Sequence, residues 1–147
     1  MPSGNGDQDN TAFVDMIGKK DGSTVDDKLS VEEKTQAIQC QTSAFLNLSI
    51  CFFLTQDYRK SIDRATESLN LQQSVKAYYR RAKGKAAIKD YWGAAADIKE
   101  AMKIDHAGGA GFQAELVSYE QAGAAKDKAS DKKLKGFLLK WTNFHQN

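Results

Sequence analysis

The chain has 147 residues, of which 41% are hydrophobic and 27% are charged, and its formal net charge is +2. This length and composition predict a single domain with a core of its own. The densest apolar stretch, Phe45 to Leu54, contains Asn47 and Ser49 and is expected to be too short to span a bilayer. The N-terminus also lacks the apolar segment of a secretory signal. We therefore expect a cytoplasmic protein, with the nucleus as a second compartment.

Charge is distributed unevenly along the chain. Residues 1–73 carry 7 basic and 11 acidic side chains, whereas residues 74–147 carry 14 basic and 8 acidic ones. The second half is therefore predicted to favour an anionic partner. Its basic surface is too discontinuous to indicate nucleic-acid binding.

Residues 1–29 are predicted to be a flexible N-terminal segment. Residues 1–10 consist mainly of Gly, Asn, Asp and Ser, a composition that cannot form a packed core. Residues 11–19 hold a short apolar group around Phe13, which indicates one short helix.

A long helix is predicted from Val31 to about Thr55. Ser30 and Glu33 form a capping-box pattern at its start. Its two cysteines would lie about 16 Å apart along the helix axis, too far for a mutual disulfide, and are expected to be buried thiols. The predicted apolar face of this helix comprises Ala37, Cys40, Ala44, Leu48 and Cys51.

Three shorter helices are predicted next. The first runs from Asp57 to about Leu71, the second follows a cap at Ser74, and the third runs from Tyr91 to Ile104. Their predicted inner residues are Tyr58, Ile62, Ala65 and Leu69, then Tyr78, Ala82 and Ala86, then Ala94, Ala95, Ile98, Ala101 and Met102.

Residues 107–147 are predicted to form a capping helix with a basic amphipathic tail. The Gly-rich stretch 107–111 indicates a break, and the helix is expected from Phe112 onward, weakened at Gly123. Residues 132–141 combine lysines with large apolar side chains, as in segments that bind calmodulin or an anionic membrane surface. A solvated extension of the capping helix is the simpler interpretation.

Residues 30–106 are predicted to contain two copies of one pattern, separated by a constant interval in the sequence. Small residues occupy the positions where paired helices must approach closely, and residues 56–58 and 89–91 mark a tight turn within each copy. Such a period predicts an all-α array of antiparallel helix pairs. The first set, Phe45, Leu48, Ser49, Phe52, Tyr58, Ser61, Ala65 and Ser68, recurs as Tyr78, Arg81, Ala82, Lys85, Tyr91, Ala94, Ile98 and Ala101.

This pattern resembles the tetratricopeptide repeat (TPR), a helix–turn–helix unit with a period of about 34 residues. Gln73 and His106 stand where the repeat usually has proline, and Lys85 stands where an aromatic residue is expected. The resemblance implies that the first helix of each pair lines a concave ligand-binding surface.

Four outward-facing residues are candidates for peptide binding on that surface: Asn47, Lys76, Arg80 and Lys83. Lys76 and Arg80 are four residues apart and stack on one helix face. Two cations and a carboxamide directed at one groove can hold a carboxylate, because a guanidinium donates two parallel hydrogen bonds to it. A solvated charged face is the competing interpretation.

A narrower resemblance rests on residues 46–51 (Leu-Asn-Leu-Ser-Ile-Cys) and 75–82 (Val-Lys-Ala-Tyr-Tyr-Arg-Arg-Ala). These segments are similar to the second and third TPRs of immunophilin co-chaperones, the FKBP-type and cyclophilin-type prolyl isomerases, and of the related aryl-hydrocarbon-receptor-interacting protein. The resemblance implies a carboxylate clamp, formed by Asn47, Lys76 and Arg80. Its ligand would be the C-terminal Glu-Glu-Val-Asp of a heat-shock chaperone of the ninety- or seventy-kilodalton class.

The family clamp also uses a lysine and an asparagine from a first-repeat helix, and no such helix is predicted before Thr11. Three alternatives therefore stay open: a TPR scaffold for an internal peptide, the targeting tail of a prolyl isomerase, or self-association through apolar surface around Phe13 and Phe45. Calmodulin or self-association through the tail is a further partner hypothesis.

Enzymatic and metal-binding functions are not expected. The two histidines, His106 and His145, lack neighbours with zinc-ligand or nucleophile spacing. The glycines at 108–111 lack the Lys-Ser/Thr of a phosphate-binding loop. No catalytic residue, cofactor or metal is therefore predicted.

Overall fold

The computed structural model describes residues 29–106 and 109–146, without the side chains of 109 and 110, and contains no strand in those residues. The prediction of an all-α array of helix pairs is confirmed. The predictions for residues 1–28, including the short helix around Phe13, lie outside the described residues. The helices are α1 (Val31–Leu54), α2 (Tyr58–Leu71), α3 (Val75–Ala87), α4 (Tyr91–Ile104) and α5 (Gly109–His145).

The chain divides into two compact units, 1–39 and 40–147. In the first unit, the start of α1 is held by the predicted capping box. The Ser30 amide donates to Glu33 Oε2 at 2.8 Å, and the Glu33 amide donates to Ser30 Oγ at 3.2 Å. The backbone hydrogen bond from Ser30 lowers the pKa of the Glu33 carboxyl. Two orphan amides at the helix start are thereby satisfied reciprocally.

In the second unit, both helix pairs turn through the same backbone motif. Gln56 and Lys89, which are equivalent positions of the two repeats, each adopt the left-handed conformation with φ of 64°. The amide after each donates five residues back, to Phe52 O and Lys85 O, both at 2.9 Å. This is the hydrogen-bond pattern of a Schellman helix end. Both predicted turns are confirmed, and the next residue, Asp57 or Asp90, then caps the following helix.

The first pair is held by small polar side chains rather than by bulky ones. The hydroxyls of Ser49 and Ser61 each donate to the other residue's carbonyl oxygen at 2.8 Å. Further along, Ser68 Oγ donates to Thr42 O at 3.3 Å. The contacting residues follow opposite orders along α1 and α2, so the two helices are antiparallel. Because hydroxyl groups of each helix reach backbone carbonyl oxygens of the other, the two backbones lie close together.

The second pair uses alanines at the same positions, and Ala82 and Ala94 are both fully buried. They pack with Ile98 and with Leu116 of α5 in one core cluster. The small positions predicted from the repeat are therefore confirmed as contact points between helices. The predicted inner faces of α3 and α4 are also buried or packed against this core.

A buried ion cluster occupies the interior of the second repeat. Asp97 accepts hydrogen bonds from Arg81 Nε at 2.9 Å and Arg81 Nη2 at 2.7 Å, and Lys85 Nζ lies 2.9 Å from the same carboxylate. The hydrogen bond to Asp97 raises the pKa of Arg81. Lys85, which departs from the aromatic expected of the repeat, is therefore a partner of a buried carboxylate.

The N-terminal half of α5 packs beside the last helix pair. It runs antiparallel to α4, since Lys99 pairs with Glu120 at 2.8 Å and Trp92 Nε1 donates to Asp127 at 2.9 Å. Gly123 is buried under Trp92, where a Cβ would lie 2.8 Å from the indole. The glycine predicted to weaken this helix therefore permits its close packing.

Two predictions about α1 are wrong. All five residues of the face predicted to be apolar and inner are exposed, and the two cysteines on it, Cys40 and Cys51, are exposed free thiols rather than buried ones. The residues buried in their place are Thr42, Leu46 and Ser49. The buried face is the one that contacts α2, where Ser49 exchanges hydrogen bonds with Ser61 and the Thr42 carbonyl oxygen accepts one from Ser68.

One helix boundary also differs from expectation. α5 begins at Gly109, three residues before the predicted start at Phe112, so part of the expected Gly-rich break is helical.

α1 as a whole has 24 residues and is, by length and composition alone, apolar enough to cross a membrane. Core helices of soluble proteins and signal sequences pass the same test, so the expectation that residues 45–54 do not span a bilayer stays a prediction.

Candidate functional site

A groove of about 140 Å³ lies where α1, α2 and α3 meet. Its wall is mostly apolar, and two cationic side chains, Arg80 and Lys83, also line it. The first helix of each pair, α1 and α3, supplies most of the lining, as an array of this kind predicts. The lining residues are Ser49, Ile50, Phe53, Ser61, Tyr79, Arg80 and Lys83.

Arg80 is half-buried in this groove. Its Nε is buried and has no hydrogen-bond partner within the described part of the chain. Burial lowers the pKa of Arg80, but a guanidinium remains charged at every physiological pH. A buried guanidinium donor without an acceptor costs free energy, and an anionic oxygen in the groove would remove that cost.

Lys83 lies one turn further along α3 and already has an acceptor. Its Nζ is 2.8 Å from Glu115 Oε1, and it lies 5.5 Å from the centre of the Tyr79 ring. The hydrogen bond to Glu115 raises the pKa of Lys83, while burial opposes the shift. The two cations at the groove are therefore unequal: Arg80 has an unused donor, and Lys83 is held by a carboxylate of the protein itself.

Glu115 is the site residue that the sequence did not reveal. Its Oε1 accepts hydrogen bonds from Lys83 and, at 3.2 Å, from the Tyr79 hydroxyl, whereas its Oε2 is buried without a partner among the described residues. Its arrival at the groove depends on how α5 packs beside α3. No local motif around residue 115 predicts that placement.

Asn47 and Lys76 are exposed and do not line the groove. Lys76 is four residues before Arg80 on α3, so the two lie on one face. Asn47 is three residues before Ile50 on α1 and occupies the position of the first repeat that Arg80 occupies in the second. Of the four predicted binding residues, the structure brings Arg80 and Lys83 together in the groove and leaves the other two on the helix surfaces that extend from it.

The described residues contain no group of three or more side chains suited to hold a metal ion. His106 is exposed, and the ring of His145 contacts the Trp141 carbonyl oxygen at 3.0 Å near the end of α5. Neither histidine lies at the groove. No protein-family model matches this chain.

Proposed function

We propose that this chain is a TPR-type adaptor of the co-chaperone kind, without catalytic activity, whose groove binds the acidic C-terminal peptide of a cytoplasmic heat-shock chaperone. The observation that carries the proposal is the buried, unpartnered Nε of Arg80 at an apolar groove, among the residues that the structure describes. The likeness of residues 46–51 and 75–82 to immunophilin co-chaperones supports the same ligand class.

The groove offers two kinds of contact to such a peptide. Arg80, with Lys76 on the same face, is suited to hold a terminal or side-chain carboxylate. Ile50, Phe53 and Tyr79 form the apolar wall of the groove. The groove volume of about 140 Å³ can hold one aliphatic side chain, such as the valine of Glu-Glu-Val-Asp. A ligand that is both acidic and partly aliphatic therefore matches the groove better than a purely charged one.

The test is a calorimetric titration of the full chain with a peptide that ends in Glu-Glu-Val-Asp, compared with the same peptide amidated at its C-terminus. We expect binding of the free acid and a loss of at least tenfold in affinity on amidation. Equal binding of the two peptides would instead favour the alternative, a scaffold that holds an internal segment by its apolar wall. Absence of binding to both would contradict the proposal.

A further inference from the structure

The C-terminal part of α5 extends beyond the helices on which its first half packs. Every residue from 124 to 146 is exposed. The inner face of α5 nevertheless continues without interruption, because Leu116, Gly123 and Asp127 are followed at spacings of seven and four by Leu134 and Leu138. The face that packs on the array up to Asp127 therefore continues as an apolar face without a partner in the described chain.

This apolar face, which we name the tail stripe, consists of large side chains on successive turns. All of them are between 48% and 81% exposed. An amphipathic helix that leaves such a row in water gains free energy when an apolar phase covers it. The stripe comprises Leu134, Phe137, Leu138, Trp141 and Phe144.

Positive charge borders the tail stripe on both sides. Lys133 and Lys140, seven residues apart, lie along one edge, and Lys128 and Lys135 lie along the other, with Asp131 between them. From Lys132 to the end of the chain there are four lysines and no acidic residue. None of these lysines pairs with an acidic side chain of the described residues.

We propose that residues 132–145 form an amphipathic helix that lies in the plane of an anionic membrane surface. Lysines at both edges of an apolar stripe can extend to lipid phosphates while the stripe enters the acyl boundary. Trp141, within the stripe, is a residue type that prefers this depth. The exposed, projecting helix allows a flat surface to approach the whole stripe.

The charge pattern opposes the other obvious occupant, a second copy of the same helix. Pairing two tail stripes would place the lysine edges of one copy against those of the other, which costs free energy. An anionic surface instead gains from every lysine, by about fivefold in affinity for each one near the surface. This inference concerns a surface separate from the groove and does not depend on the proposed function.

The experiment is vesicle co-sedimentation of the full chain with phosphatidylcholine alone and with a 7:3 mixture of phosphatidylcholine and phosphatidylserine. We expect binding only to the mixed vesicles, weakened at least tenfold when salt rises from 0.1 to 0.5 M, since exposed charges are then screened. We also expect a blue shift of tryptophan emission that Trp141→Phe abolishes.

Two variants and one control locate the contact. Leu138→Glu should lose at least tenfold in vesicle affinity, and so should the replacement of Lys132, Lys133, Lys135 and Lys140 by Gln. Leu54→Glu, at an exposed leucine that ends α1, should bind as the unmodified chain does. Circular dichroism checks that each variant keeps its helices.

Three results would overturn the proposal. Loss of binding in Leu54→Glu but not in Leu138→Glu would assign the membrane contact to α1. Equal binding to both vesicle types would remove the role of the lysines. Failure to bind mixed vesicles would exclude the membrane surface as the partner. Tight binding of an acidic protein such as calmodulin, or a concentration-dependent dimer that Leu138→Glu abolishes, would then assign the tail stripe to a protein partner.

Discussion

Glu115 on α5 holds Lys83 on α3 through an ion pair of 2.8 Å, at the edge of the groove that Arg80 also lines. A carboxylate of the protein therefore already forms an ion pair with one of the two cations that an acidic ligand would contact. The Tyr79 hydroxyl donates to the same oxygen, so the carboxylate is fixed by two donors. The C-terminal helix thereby takes part in setting the charge of the groove.

Replacement of Glu115 by Gln should strengthen binding of an acidic C-terminal peptide. The change removes a competing negative charge and releases Lys83, and because the pair is partly exposed we expect about a two- to fivefold gain. Isothermal titration calorimetry measures it. Glu120→Gln, which breaks the 2.8 Å pair with Lys99 on α4 outside the groove, is the matched control and should leave affinity unchanged. An equal effect of the two variants would show that Glu115 does not compete with the ligand.

Replacement of Arg80 by Ala should weaken the same peptide by about 1.5–3 kcal/mol, the range for a hydrogen bond to a charged group. Lys76→Ala should have a smaller effect in the same direction, because its exposed ammonium contributes only a screened attraction. Lys103→Ala, at an exposed lysine on α4 that pairs with Glu100, controls for net charge. Unchanged affinity in Arg80→Ala would remove the guanidinium from the binding site.

Replacement of Asp97 by Asn should destabilise the fold by about 3 kcal/mol. Breaking a buried ion pair costs about 3–5 kcal/mol, and the lower end applies because Arg81 and Lys85 each keep 20% of their side-chain surface exposed. Urea denaturation at pH 7 gives the free energy of unfolding. Glu67→Gln, which breaks a partly exposed pair with Arg64, should cost less than about 1 kcal/mol. Similar losses in both variants would contradict a special role for the buried cluster.

The helices and turns were predictable because their signals are local. Ser30 and Ser74 cap helices as predicted, and the repeat period identified the small contact positions such as Ser49 and Ala82. Hydrophobic periodicity failed in α1, where it favoured Cys40 over Thr42. A threonine or serine buried in a close helix contact is satisfied by hydrogen bonds within that contact, which a pattern of apolar residues does not register.

The groove was only partly predictable for a related reason. Arg80 and Lys83 lie on one α3 face, as their spacing requires, so their proximity follows from the sequence. Glu115 reaches them from a helix that is distant in the sequence, and its position depends on the packing of α5 rather than on a local motif. Asp97 did carry a signal, since a carboxylate beside Ile98 on an apolar face needs a buried cation as partner.

The cap of α2 should make stability depend on pH in the acid range. The side-chain hydrogen bond with Lys60, whose Nζ lies 3.0 Å from the Asp57 carboxylate, lowers the pKa of Asp57 from its ordinary value of 3.8. A lowered pKa in the folded state means that the stabilisation is complete above the ordinary pKa and is lost as pH falls through the native pKa. We therefore expect the stability advantage of the unmodified chain over Asp57→Asn to shrink below pH 4.

Asp57→Asn is informative because asparagine keeps an oxygen acceptor for the Lys60 amide but does not titrate. Urea unfolding at pH 7, 5, 4, 3 and 2.5 gives the difference in stability between the two chains. Lys60→Met, which removes the cation and leaves the cap, should reduce the same pH dependence. A constant difference across the acid range would mean that Asp57 acts only as a hydrogen-bond acceptor, with no contribution from its charge.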